Sequence, residues 1–76
     1  MATDTPRVGS LWQVKNDNGT ATYRLESIDR HVDPTYCYRL VLTERTGHYV
    51  HATPLGHAMC VELAWFSIRA DVRRAA

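Results

Sequence analysis

At 76 residues the chain is one domain near the lower end of what folds alone. An apolar share of 45% and a charged share of 22% exclude a disordered polypeptide. Nine basic against eight acidic residues leave a net charge of +1, which excludes the large uniform field of a dedicated nucleic-acid or membrane-surface binder. Cys37 and Cys60 are too few for a disulfide framework. No apolar run is long enough to span a bilayer, and Met1 to Arg7 has no apolar signal-peptide core. The cytoplasm is therefore the expected compartment, with both thiols reduced.

Residues 1–7 are small and polar and read as a disordered arm. Residues 8–69 read as a single β domain. Leu11-Trp12-Gln13-Val14-Lys15 is a short first strand, with Trp12 and Val14 on one face. Asn16-Asp17-Asn18-Gly19 is a dense turn cluster whose Asn-Gly end suits a tight hairpin. In the second strand Ala21, Tyr23 and Leu25 are in phase, and Ile28 is out of phase by one. A bulge at Glu26-Ser27 would return Ile28 to the buried face and bend the strand.

Asp29 to Thr35 is polar and contains Asp33-Pro34, the mark of a loop. From Tyr36 to Thr43 the alternation is strict. Tyr36, Tyr38, Leu40 and Leu42 fall on one face; Cys37, Arg39, Val41 and Thr43 fall on the other. Glu44 to Gly47 predicts a second hairpin into a strand over Tyr49 to Ala52. Thr53-Pro54 resembles a helix N-cap followed by Pro, and Gly56 limits the helical element to residues 54–58.

Ala58 to Val72 fits two readings. Val61, Trp65, Ile68 and Val72 have helical spacing, yet Met59, Leu63 and Phe66 would make that helix apolar all round. A short helical turn and a closing strand near Trp65 to Arg69 is favoured; a helix covering an open sheet is the alternative. Residues 70–76 form an Arg/Ala tail.

The expected fold is all-β or β-rich: a small five-stranded barrel or a strongly bent antiparallel sheet, with a short helical element near residues 54–58. Val8-Gly9-Ser10-Leu11-Trp12-Gln13-Val14, followed by the Gly19 turn and a long bent strand, resembles the opening of SH3-like barrels of the KOW and Tudor kind. The resemblance covers about the first third of the chain. It implies a barrel used as a binding module rather than as a catalyst.

Chemistry-bearing patterns are sparse. Cys37, Cys60, His48, His51 and His57 include no paired Cys-x-x-Cys knuckle, so no metal or other cofactor is expected. Asp29, His31 and Asp33 alternate through a loop, where aspartates more often bond their own backbone than do acid/base work. Ser10, Ser27 and Ser67 lie in no G-x-S-x-G context, and scattered glycines build no phosphate cradle. The chain is not expected to be an enzyme.

Two classes of partner remain. The favoured reading is a non-catalytic protein-interaction module that modulates a larger partner, of the kind small bacterial or phage genomes encode. Its expected contacts are Trp65, Phe66, Arg69 and Tyr49, large anchors beside a cation. The alternative is a nucleic-acid-associated regulator using Arg24, Arg39, Arg45, Arg73 and Arg74 with sheet tyrosines. Alternation separates Arg39 from Tyr36 and Tyr38, which counts against it. A homodimer through an unpaired edge strand would also meet the burial shortfall of so short a chain.

Overall fold

The computed structural model describes residues 6–17, 19–47, 54–67 and 72–75, Asn16 by its backbone only. Strand β1 spans Leu11–Asn16, β2 Gly19–Ile28, β3 Tyr38–Arg45, β4 Ala58–Val61 and β5 Val72–Arg74, with a 3₁₀ turn over Leu63–Phe66. The strands form one antiparallel sheet of five in the order β4-β3-β2-β1-β5. Among the described residues its edges, β4 and β5, are not paired with each other. The sheet is open rather than closed into a barrel.

Period two decides which face is buried. Trp12 stands opposite Tyr23 and Val14 opposite Ala21, so the apolar phases of β1 and β2 share one face. Across the next ladder Leu25 meets Leu40, and Tyr23 meets Leu42. Leu25, Leu40 and Leu42 are the largest fully buried side chains. A shift in register between Leu25 and Ser27 places the expected bulge at Glu26 and brings Ile28 opposite Tyr38, against the core. A second shift between Thr22 and Tyr23, with Glu44 and Leu42 as partners, was not legible in the alternation.

The first hairpin closes between Asn16 and Gly19, which pair. Gly19 adopts φ +132°, and a Cβ there would collide with the backbone carbonyl of Thr46. Thr46 reaches that position because its N–H donates to the Thr20 carbonyl at 2.8 Å. Glycine at 19 thus permits both the turn and the close approach of β3's end.

Several expectations are corrected. Strand β3 begins at Tyr38, not Tyr36, because the carboxylate of Asp33 takes the N–H groups of Thr35 and Tyr36 and bends the backbone there. The phase breaks with it: Cys37 is buried and Tyr36 is exposed, the reverse of strict alternation. Residues 54–57 hold a turn rather than a helix, and β4 follows at Ala58. The helical element lies instead at Leu63–Phe66, and the closing strand at Val72–Arg74 rather than Trp65 to Arg69. The tail is therefore partly sheet: Val72 pairs with Val14, and the Ala75 N–H donates to the Leu11 carbonyl at 2.7 Å. At the other end Pro6 is buried and the Arg7 carbonyl accepts from Ser10, so order begins before Val8. Residues 1–5 of the arm expected over 1–7, and the strand expected over Tyr49 to Ala52, lie outside the described residues.

The 3₁₀ turn covers the core face of the sheet with aromatic rings. Phe66 is buried and meets Trp12, Trp65 and Tyr38 edge to face, with centroids 4.8, 5.1 and 5.3 Å away. Trp65, half-buried, also meets Tyr23 at 6.2 Å. Such contacts add about 0.5–1.5 kcal/mol each beyond area burial. The Trp12 indole N–H donates to Ser10 Oγ at 2.8 Å, and that hydroxyl donates to the Arg7 carbonyl. The indole's polar atom is thereby satisfied within the core.

Candidate binding site

The loop from Asp29 to Cys37 is built by its aspartates. Asp29 Oδ1 accepts the His31 N–H at 3.0 Å; Asp33 Oδ1 accepts those of Thr35 at 2.8 Å and Tyr36 at 3.0 Å. The Asp29 N–H donates to the Cys37 carbonyl at 3.0 Å and closes the loop's base. Arg30 folds back over the Tyr38 ring, 5.9 Å from its centroid, and donates to its hydroxyl at 3.3 Å. Both carboxylates serve the backbone, as turn aspartates do.

The hydrogen bonds of Tyr36 and Thr35 hold the Asp33 carboxyl below the usual aspartate range. Because the folded value is depressed, the contribution of Asp33 to the loop is complete above the unfolded value, about pH 3.9. It is lost as the pH falls through the folded value. In an NMR titration the Asp33 carboxyl is expected to titrate below the ordinary aspartate value, with the Tyr36 and Thr35 amide shifts following the same midpoint. A midpoint at or above the ordinary value would refute the bonds.

This loop presents Val32, 84% exposed, and Tyr36, 52% exposed, beside the outer face of the sheet. Together with Ser27, Asp29, Arg39 and the two cysteines they line a pocket of about 180 Å³. That is below the roughly 300–1,000 Å³ of small-molecule sites and suits a single apolar side chain. Arg39 lies across from Cys60 in register, and its Nε donates to Glu26 Oε1 at 2.9 Å. The bulge places Glu26 there. Both side chains are nearly half exposed, so the pair contributes under about 1 kcal/mol and acts mainly to orient the guanidinium. Cys60 is exposed and Cys37 buried, and both are free.

The pocket was not visible in the sequence as a site. Strict alternation would have put Tyr36 on the core side, away from Arg39; the bend after Asp33 puts both on one wall. The signal that could have found it was Asp33-Pro34 standing two residues before the apparent strand.

The contacts expected from sequence are scattered. Phe66 is buried in the core cluster. Trp65 is half-buried against Phe66 and Tyr23. Arg69 and Tyr49 lie outside the described residues. The five arginines of the nucleic-acid alternative divide between two faces. Arg24, Arg39 and Arg73 stand on the outer face; Arg45 opposes Ala21 and Arg74 opposes Trp12, on the core side. Tyr38 faces the core, as alternation required, and so stands on the opposite face from Arg24, Arg39 and Arg73. Of the metal candidates, His48 and His51 lie outside the described residues. Among the described residues no group of three or more His, Cys, Asp or Glu is placed to hold a metal ion. No described helix is long and apolar enough to cross a membrane.

Set against known proteins, the chain matches no family model, no curated protein and no solved structure.

Proposed function

We propose that the chain is a non-catalytic protein-interaction module that modulates a larger partner in the cytoplasm, of the kind small bacterial or phage genomes encode. Its framework is a strongly curled, SH3-like sheet. What supports the framework is the strand order: the last strand returns beside the first, and a short 3₁₀ turn precedes it. What supports the function is one observation. Val32 and Tyr36 are exposed on a loop in which Asp29 and Asp33 already take the N–H groups of His31, Thr35 and Tyr36. An apolar pair fixed in this way loses little conformational freedom on binding, which favours a partner contact. The surface we assign is therefore the pocket, in place of Phe66 and its neighbours.

Affinity capture with the full chain, followed by mass spectrometry, tests this. Tyr36→Ala is expected to weaken retention of the captured protein by about tenfold, a loss of the hot-spot size. Circular dichroism and the urea midpoint should stay unchanged. Undiminished capture by Tyr36→Ala would refute the site. A mobility shift of short nucleic acid at low salt, steeply lost as salt rises, would favour the alternative regulator instead.

A further inference from the structure

The register arranges the outer face in rows. Leu11, Arg24, Val41 and Ala58 form one row across four strands; Arg73, Gln13, Thr22 and Glu44 form the next. On the other side of the Arg24 row, Arg39 and Cys60 lead to the pocket. This face carries Lys15, Arg24, Arg39 and Arg73 against Glu26 and Glu44, an excess of two positive charges in a chain whose whole excess is one. Glu26 is spent on Arg39. The side chains of Arg24 and Arg73 make no hydrogen bond or ion pair among the described residues. Asp29 on the pocket wall adds a negative charge, which the hydrogen bond from the His31 N–H does not remove. Face and pocket together therefore carry an excess of one, with Arg24 and Arg73 among the unpaired cations.

Cations alone would draw nucleic acid as readily as an acidic protein. The side chains between them decide. Leu11, Val41 and Ala58 are half-buried and aliphatic and flank Arg24, while the exposed ring of Tyr36 stands in the pocket wall by Arg39 rather than between the cations. From these observations we infer that the outer face takes an acidic segment of a partner protein. One apolar side chain of that segment enters the pocket between Val32, Tyr36 and Cys60, and its carboxylates lie over Arg39 and Arg24. The assignment rests on the interaction-module reading and adds the chemistry of the partner. Arg39 can receive such a carboxylate because a guanidinium has five N–H donors and Glu26 takes the one on Nε.

Cys60 reports occupancy of the pocket directly, and buried Cys37 serves as an internal reference. The probe is a short glutamate peptide with a single central leucine, added to the full chain at low salt. It is expected to slow alkylation of Cys60 by iodoacetamide, read by mass spectrometry. The same peptide with lysines for glutamates, or serine for leucine, should give no protection at that concentration. The R24Q/R39Q variant should need about tenfold more peptide while keeping its urea midpoint. Should the double variant unfold, R24Q alone carries the comparison.

Equal protection by the lysine peptide, protection by short oligothymidine at lower concentration, or no protection by any peptide would overturn the inference. If Tyr36-dependent capture survives such a result, only the acidic-segment chemistry falls. If that dependence is lost too, the pocket itself is the wrong site.

Discussion

Phe66→Ala is expected to destabilise the protein by about 3–5 kcal/mol, measured by urea denaturation. At 76 residues total stability is of the order of 4–11 kcal/mol, so this one change removes a large fraction of it. The ring is 7% exposed and is the hub of the aromatic cluster, touching Trp12, Trp65 and Tyr38 together. Removing it strips each of those rings of an edge-to-face neighbour and leaves a void beneath the 3₁₀ turn. Phe66→Leu, which keeps most of the volume, should cost much less. A loss below about 1 kcal/mol for Phe66→Ala would mean that the turn does not cover the sheet as described. The outcome separates two roles for the residue, because a partner contact would alter capture without moving the urea midpoint.

Leu40→Ala should cost about 2–5 kcal/mol, toward the upper end where the site cannot collapse. Leu40 is fully buried in the middle strand of the β2-β3-β4 ladders, opposite Leu25 on one side and Met59 on the other. Both flanking backbones are held by sheet hydrogen bonds, so little can move in to fill the space. Its sequence neighbour is the control. Val41 is half-buried on the outer face, and Val41→Ala should cost about 1 kcal/mol or less. Equal losses at 40 and 41 would contradict the assignment of faces. The same pair then serves the binding reading: Val41→Ala, not Leu40→Ala, is the substitution that leaves a folded chain with an altered outer surface.

The legible part of this fold was local. Trp12 and Val14, Tyr23 and Leu25, Tyr38, Leu40 and Leu42 show their common face through spacing alone, since a pleated strand turns alternate side chains to opposite sides. The bulge at Glu26 was legible for the same reason: one extra residue in a strand slips its apolar phase by one. Phe66 was misread because aromatic size suits a hot spot and a core equally, and only its neighbours distinguish the two. Tyr36 was misread because its place in an alternating run hid the bend that Asp33 imposes three residues earlier.

By itself, then, the sequence determined a small β-rich domain, the buried phase of its three central strands and the hairpin between the first two. These depend on side-chain period and on residues adjacent in the chain. Tertiary structure alone decided that Val72–Arg74 returns to pair with β1, that Leu63–Phe66 folds over the core face, and that Tyr36, Arg39 and Cys60 share a pocket. Each of those joins residues distant in the chain, or turns on a side-chain hydrogen bond to the backbone that breaks the strand's period. No periodic pattern records such pairings, because the energy that selects them comes from burial against partners found only once the sheet has formed.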